Sequence, residues 1–188
     1  MNDKLVQLAE ECKNCKKCPL HETRTQTVFG VGNPEAKILF VGEAPGENED
    51  LQGEPFVGRA GQLLDLYLNS IGLDRRENVY IANILKCRPP KNRDPKPEET
   101  ELCLPFLREQ TRILRPRVLV CLGRIAAQVI ISPEFRVTRE HGVFYERGGI
   151  LMMGTFHPAA LLRDPRRKGD ALEDFMMLQT KLQELGLL

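Results

Sequence analysis

The chain has 188 residues, 41% of them hydrophobic and 28% charged, and carries a formal net charge of +1 at pH 7. These values are typical of one globular domain over residues 1–188 and give no overall indication of a nucleic-acid partner. No apolar run approaches the roughly 20 residues that cross a bilayer, and the first residues carry no secretory pattern, so we expect a cytoplasmic protein without membrane contact.

An N-terminal arm occupies residues 1–27 and begins with a predicted helix from about Asn2 to Asn14. The arm holds three of the six cysteines, which are Cys12, Cys15 and Cys18. A reducing cytosol disfavours a disulfide framework, so these thiols need another explanation.

The rest of the chain alternates short apolar runs with helical patterns. In chain order the prediction is strand Lys37–Gly42, helix Leu63–Ile71 stopped at Gly72, strand Val79–Leu85, a helix from Pro97 to Pro116, strand Arg117–Gly123, helix Gly123–Ile131, strand Ile150–Phe156 and helix Asp170–Leu185. Pro105 is expected to kink the second of these helices or to begin another, which puts Cys103 near an irregularity.

This order predicts an α/β fold with three αβα layers around a four-stranded, mainly parallel sheet. The strand runs are continuously apolar, as in strands buried on both faces, and strands alternating with helices favour crossover connections. Ligands of such folds bind beyond the carboxyl ends of the strands. That rule selects four segments for closer reading, Gly42–Asp50, Asn83–Lys96, Gly123–Ala126 and His157–Arg163.

Two basic segments stand out on an otherwise mildly acidic chain. Lys86–Lys96 has five cations against one anion, and Arg163–Lys168 has four against one. Local basic loops can form a phosphate-binding surface, although solvated loops have the same composition.

Four cysteines form a candidate metal site. Cys15 and Cys18 have CxxC spacing, and Cys87 and Cys103 lie far downstream. Four thiolates can hold an iron–sulfur cluster or a tetrahedral zinc ion, and spacing alone does not choose between them. Cys12 is either a spare thiol or a ligand in place of Cys15 or Cys18.

Six ordered segments resemble motifs of one enzyme family. They are Cys15–Cys18 (CKKC), Val28–Pro34 (VFGVGNP), Val41–Asp50 (VGEAPGENED), Gly53–Gly61 (GEPFVGRAG), Asn83–Pro90 (NILKCRPP) and His157–Leu161 (HPAAL). Together they resemble the family 4, iron–sulfur-containing uracil-DNA glycosylases. The implied activity is hydrolysis of the N-glycosidic bond of uracil in single- and double-stranded DNA by base flipping, which leaves an abasic site.

The resemblance implies a [4Fe–4S] cluster held by Cys15, Cys18, Cys87 and Cys103, which would tie the N-terminal arm to the body. Leu104 follows the last ligand, where the family often has proline. A related type that traps DNA covalently has a histidine-containing insertion after the second strand, and residues 83–98 contain no histidine. The chain does not match that subtype.

The resemblance also implies a uracil-binding pocket. Asn83 would read the base edge, because a side-chain amide offers an acceptor and a donor side by side. Phe56 would stack on the base, and the turn formed by Gly42, Glu43, Ala44 and Pro45 would approach the uracil oxygens. Glu49 would help close the space that the methyl group of thymine needs.

His157 is the main catalytic candidate, because a donor aimed at uracil O2 would stabilise the negative charge that develops there. Family 1 enzymes carry a water-positioning aspartate in the corresponding turn, where this chain has Ala44. A water could instead be held by the backbone or by Glu43. Without the motifs, a strand-end turn residue and a structural histidine would be the ordinary interpretations of Asn83 and His157.

Leu161 resembles the wedge that fills the gap left by a flipped base. The cations expected to bind phosphates are Arg163, Arg166, Arg167, Arg88, Lys91 and Arg93. The expected partner is uracil-containing DNA, bound by a monomer, and no replication or repair protein is indicated. The alternatives are a sister glycosylase for other deaminated bases and a non-catalytic iron–sulfur or zinc DNA-binding protein.

Overall fold

The computed structural model describes residues 3–188, so the predicted start of the arm at Asn2 lies outside the described residues. Helix α1 spans Asp3–Lys13 and packs on the helix that begins at Pro97. Its apolar face buries Leu5, Leu8 and Cys12. The arm continues through a 3₁₀ turn at Pro19–Glu22.

The central sheet has six strands, in the order β1-β3-β2-β4-β6-β5. Their bounds are β1 Val31–Gly32, β2 Ile38–Gly42, β3 Tyr80–Asn83, β4 Val118–Leu122, β5 Phe144–Arg147 and β6 Ile150–Thr155. The four predicted strands are the inner ones, and they pair in parallel.

The prediction of a four-stranded sheet is wrong, because β1 and β5 add antiparallel edges. Strand β1 has two residues, and β5 leaves Glu146 and Arg147 exposed. Edge strands need no continuous apolar run, so the pattern that marks the buried inner strands does not mark them.

Helices cover both faces of the sheet and make the three predicted layers. Side chains of Phe40 and Val120 meet one set of helices, and those of Val41 and Cys121 meet the other. The first layer contains α3 (Arg59–Ser70) and α8 (Lys168–Glu184), and the second contains α1, α4 (Pro97–Leu114) and α5 (Arg124–Ile130). Shorter helices are α2 (Glu47–Gln52), α6 (Val137–Glu140) and α7 (Pro158–Arg163), with 3₁₀ turns at Pro90–Asn92 and Pro165–Arg167.

Helix α4 runs without interruption through Pro105, so the expectation of a second helix beginning there is wrong. Proline removes the hydrogen bond to the carbonyl four residues earlier, which belongs to Glu101. Both residues are exposed, and water can therefore satisfy the freed carbonyl.

The carboxyl ends of the inner strands lie side by side. Gly42 pairs in register with Asn83, and Leu122 pairs with Thr155. The loops after these strands therefore open at one edge of the sheet. Within residues 3–188, none of the helices combines the length and apolar character that crossing a membrane requires.

Candidate active site

A cavity of about 510 Å³ lies beyond the carboxyl ends of β2, β3, β4 and β6. This is within the range of small-molecule sites. The predicted pocket residues that line it are Glu43, Ala44, Pro45, Glu49, Phe56, Asn83 and His157. Gly42 lies behind this wall and contributes close packing, as described next.

Asn83 ends β3 and is 2% exposed. Its Oδ1 is the single buried side-chain polar atom in residues 3–188 without a hydrogen-bond partner. Gly42 permits this placement, since a Cβ there would lie 2.4 Å from Asn83 Oδ1 and 2.6 Å from Phe56 Cζ. Buried acceptors are almost always paired, so an unpaired one on a cavity wall indicates a ligand that donates a hydrogen bond.

Phe56 provides the flat wall of the cavity. Its ring stacks against the imidazole of His157, with centroids 5.5 Å apart. Its backbone φ is +55°, which is unfavourable for a bulky residue. Arg75 holds this conformation by donating to the carbonyl oxygens of Pro55 and Phe56, and it is itself paired with Asp65 at 2.7 Å.

Glu49 joins two walls of the cavity. Its Oε2 accepts from the N–H of Gly46, and its Oε1 accepts from the N–H groups of Val57 and Gly58. The carboxylate is thus held by backbone donors and is not a solvent-facing loop group. It fixes the turn after β2 relative to the segment that carries Phe56.

His157 is the residue that caps α7. The N–H of Ala159 donates to its Nδ1 at 3.1 Å, so in the neutral ring the proton lies on Nε2. Burial and, to a smaller extent, nearby Arg163 lower the pKa of His157 to about 4, against an opposing effect of Glu49. The imidazole is therefore neutral at pH 7 with one N–H to donate.

Glu43 lies in the same cavity among charged neighbours. Burial and the charge of Asp94 raise the pKa of Glu43, whereas Arg124 and Arg163 lower it. Arg124 Nη2 pairs with Asp94 Oδ2 at 3.0 Å across the cavity mouth. Gly123–Ala126 was predicted to lie at the site from its position after a strand, but Arg124 was not among the predicted cations.

The predicted phosphate-binding cations have different surroundings. Arg163 lies exposed on the cavity rim, and no carboxylate of the described chain lies within ion-pair distance of it. Arg88 contacts Glu47 and Asn92, and Lys91 is exposed. Arg166 and Arg167 pair with Asp164 and Asp170 on the surface.

Arg93 is a correction to the predicted set. Its guanidinium donates to both carboxylate oxygens of Glu99, which is 4% exposed, and to the carbonyl of Asp94. This bidentate pair occupies the guanidinium and fixes the loop before α4. We therefore expect Arg93 to have a structural role and not to bind phosphate.

Leu161, the predicted wedge, does not project from the surface in this structure. Leu161 is 1% exposed and packs in the core with α3 and α8. It follows His157 by one helical turn in α7, and its side chain points toward the body. Its role as a wedge stays a prediction.

A second cavity gathers five cysteines, Cys12, Cys15, Cys18, Cys87 and Cys103. All six cysteines of the chain are free, and Cys121 lies in the core within β4. Arg24 Nη1 donates to Cys87 Sγ at 3.2 Å, and the backbone N–H of Lys86 donates to Cys103 Sγ at 3.3 Å. Cations and N–H donors around sulfur favour bound thiolates.

The donor set consists of thiols, which are the ligands of iron–sulfur clusters and of structural zinc. Within residues 3–188 no three His, Cys, Asp or Glu side chains gather tightly enough for a single metal ion.

A cavity with an unpaired amide acceptor, an aromatic wall and a neutral imidazole, at the carboxyl edge of an αβα sheet, is the kind of site at which enzymes of this fold class bind small ligands. The family model of the uracil DNA glycosylase superfamily matches residues 29–178. The chain belongs to this superfamily, and within it to the type-4 uracil-DNA glycosylases.

Type-4 relatives support the assignment to that type, and a type-5 relative supports the assignment to the superfamily. A type-4 uracil-DNA glycosylase of Archaeoglobus fulgidus is 51% identical, over 92% of this chain and 90% of the relative. A type-4 enzyme of Thermotoga maritima is 47% identical over 84% and 82%. A type-5 enzyme of Thermus thermophilus is 34% identical over 69% and 68%.

Proposed function

We propose that this chain hydrolyses the N-glycosidic bond of uracil in DNA after flipping the nucleotide into the cavity, and that Asn83 identifies the base. The supporting observation is the unpaired Oδ1 of Asn83, buried on the cavity wall beside Phe56. A flipped base costs a few kcal/mol of lost stacking and pairing, which the pocket contacts offset.

Asn83 matches the edge of uracil. Its Oδ1 accepts from uracil N3–H, while its Nδ2 donates to O4. Cytosine has an acceptor at N3 and a donor at C4, so it would leave both amide groups unpaired at a cost of about 1–3 kcal/mol each. Phe56 stacks on the ring, and Glu49 limits the space next to C5, where thymine carries a methyl group.

His157 stabilises the leaving group. As the glycosidic bond breaks, negative charge develops on the pyrimidine, mostly on O2, and positive charge develops on the sugar. The Nε2–H of a neutral imidazole donates to O2 and strengthens as that charge grows. The hydrogen bond from Ala159 to Nδ1 fixes the tautomer that this step requires.

Glu43 holds the attacking water. Ala44 provides no carboxylate in this turn, and Glu43 is the acidic side chain whose pKa burial raises within the cavity. The ionised carboxylate orients a water toward the sugar and accepts its proton as the bond to carbon forms. The proton thus remains in the cavity while uracil leaves as a stabilised anion.

The DNA backbone binds along the cavity rim. Arg163 is exposed there, and Arg88 and Lys91 lie on the loop after β3. Arg166 and Arg167 extend this basic rim, where phosphates replace their surface carboxylate partners. Cavity and rim come from one chain, so a monomer is sufficient for single- and double-stranded substrates.

Cys15, Cys18, Cys87 and Cys103 hold a [4Fe–4S] cluster, which supplies a covalent link between the arm and the body. Cys12 lines the same cavity, but it is fully buried within α1. Burial raises the pKa of Cys12 to about 12 and that of Cys103 to about 11, so the match of Cys15 and Cys18 to the family's CxxC motif, and not burial, leaves Cys12 outside the ligand set.

The test is excision from an oligonucleotide with one uracil, read by alkaline cleavage of the abasic site. Asn83→Ala is expected to lower single-turnover excision at least tenfold, whereas the exposed Asn69→Ala is expected to match the native chain. Oligonucleotides with hypoxanthine or xanthine test the sister-glycosylase alternative. Equal excision by Asn83→Ala and the native chain would contradict the proposal.

A further inference from the structure

Lys86 is a lysine with no access to solvent. It lies in the loop after β3 and is 1% exposed, whereas lysine is almost never fully buried unless it is paired. Its Nζ donates to the carbonyl oxygens of Asn83 and Phe29, at 2.9 and 3.2 Å, and to Gln110 Oε1 at 2.6 Å. Three oxygen acceptors therefore surround the ammonium group.

None of these three acceptors carries a charge. No carboxylate of residues 3–188 forms a salt bridge with Lys86. An uncompensated buried cation is costly. The side chain lines the cysteine cavity, where thiolates are the available negative groups, and the backbone N–H of Lys86 already donates to Cys103 Sγ.

Lys86 thus touches two sites at once. Its ammonium holds the carbonyl of Asn83, three residues earlier, and its backbone contacts a cysteine of the second cavity. Because Asn83 is the last residue of β3, its side chain depends on the path of the turn that follows. A contact that closes this turn sets where the amide lies in the pocket.

We propose that Lys86 is a positioning residue that holds the uracil-reading amide of Asn83 in place, and that the negative charge of the thiolate-bound cluster keeps this buried ammonium stable. The inference rests on the proposed reading of uracil by Asn83. Lys86 touches neither uracil nor the sugar and acts through the backbone of Asn83.

The test compares Lys86→Met with Lys17→Met in the cluster-loaded protein. Methionine has a similar length without charge or donor, and Lys17 lines the cysteine cavity without a hydrogen bond to Asn83. We would measure the affinity for free uracil, and KM and kcat per active site. We would also measure the rate at which an iron chelator removes the visible absorption.

In Lys86→Met, free uracil is expected to bind roughly tenfold more weakly, KM to rise, discrimination against cytosine to fall, and the absorption to fade faster. Lys17→Met is expected to leave uracil affinity, KM and discrimination against cytosine unchanged, because Lys17 has no hydrogen bond to Asn83. If Lys86 only stabilised the fold, Lys86→Met would lower the fraction of active protein and leave uracil affinity per active site unchanged. That result would overturn the inference.

Two further variants keep the result decisive. If Lys86→Met does not fold, Gln110→Ala removes one Nζ partner and is expected to shift uracil affinity in the same direction by a smaller factor. Unchanged affinity in that variant would overturn the inference. Asn83→Ala is measured in parallel. If Asn83→Ala does not weaken uracil binding, the proposed reading of uracil by Asn83 fails. If Asn83→Ala weakens uracil binding and Lys86→Met does not, only the positioning role of Lys86 fails.

Discussion

Gly42 lies directly behind the pocket wall, against Asn83 and Phe56. A methyl group there would meet both the Asn83 amide and the Phe56 ring at less than 3 Å. Neither neighbour can move freely, because Asn83 belongs to β3 and the backbone of Phe56 is held by Arg75. The absence of a side chain at Gly42 is thus part of how the pocket is shaped.

We predict that Gly42→Ala lowers free-uracil affinity by about tenfold or more, because the added methyl displaces Asn83 or Phe56. Gly169→Ala is the matched control, since a Cβ there has no neighbour within 4 Å. Isothermal titration with free uracil checks both. Native affinity in Gly42→Ala would show that the wall tolerates a methyl group.

The decrease of kcat/KM at acid pH distinguishes the role of Glu43 from that of His157. The pKa of Glu43 is raised above its usual 4.5, so the ionised form is lost first as pH falls, and His157 protonates only near pH 4. We predict that kcat/KM is flat near neutral pH and falls through the Glu43 pKa. In Glu43→Gln, a slower reaction is expected to keep its remaining rate down to about pH 4. Identical acid limbs in both proteins would contradict the role of Glu43.

At the scale of elements, the two loops on the rim carry arginines with different roles. Arg163 is the last residue of α7 and forms no ion pair within the described chain, whereas Arg93 is paired with Glu99 before α4. We predict that Arg163→Ala reduces the slope of log affinity against log salt for duplex DNA by about 0.9, the value of one phosphate contact.

Arg93→Ala is expected to leave that slope unchanged and to lower Tm, because the buried Glu99 carboxylate loses its bidentate partner. Fluorescence anisotropy at several salt concentrations and a thermal melt measure the two effects. A reduced slope in Arg93→Ala together with an unchanged slope in Arg163→Ala would reverse the assignment.

The inner strands were predictable because β2, β3, β4 and β6 are buried on both faces, which requires continuous apolar runs. The edge strands β1 and β5 lack that requirement and escaped prediction. The inward orientation of the Leu161 side chain was not predicted either, because a leucine one turn after a helix start packs inward or outward according to its neighbours. The strained φ of Phe56 and the tautomer of His157 depend on contacts with Arg75 and Ala159, which spacing does not reveal.

At the scale of the molecule, the cysteine cavity joins the arm to the sheet. Cys12, Cys15 and Cys18 come from the arm, whereas Cys87 follows β3 and Cys103 lies in α4. The arm has a second attachment, where the N–H of Thr25 donates to the buried carboxylate of Asp50. That the whole chain folds as one domain stays a prediction.

We predict that Cys87→Ala abolishes the broad visible absorption of an iron–sulfur cluster and lowers Tm, because ligand binding contributes directly to folding stability. Cys12→Ala and the core variant Cys121→Ala are expected to keep the absorption. Absorption spectra and thermal melts of these three variants and of Cys15→Ala check this. Loss of absorption in Cys12→Ala with retention in Cys15→Ala would exchange these two cysteines in the ligand set.

The central claim is that one amide selects the base while a neutral imidazole receives the charge of the leaving group. A crystal structure with free uracil tests it most directly. The account predicts a ring against Phe56, with N3 within 3.2 Å of Asn83 Oδ1 and O2 facing His157 Nε2. A uracil bound elsewhere, or one in this cavity that leaves Asn83 Oδ1 unpaired, would contradict it.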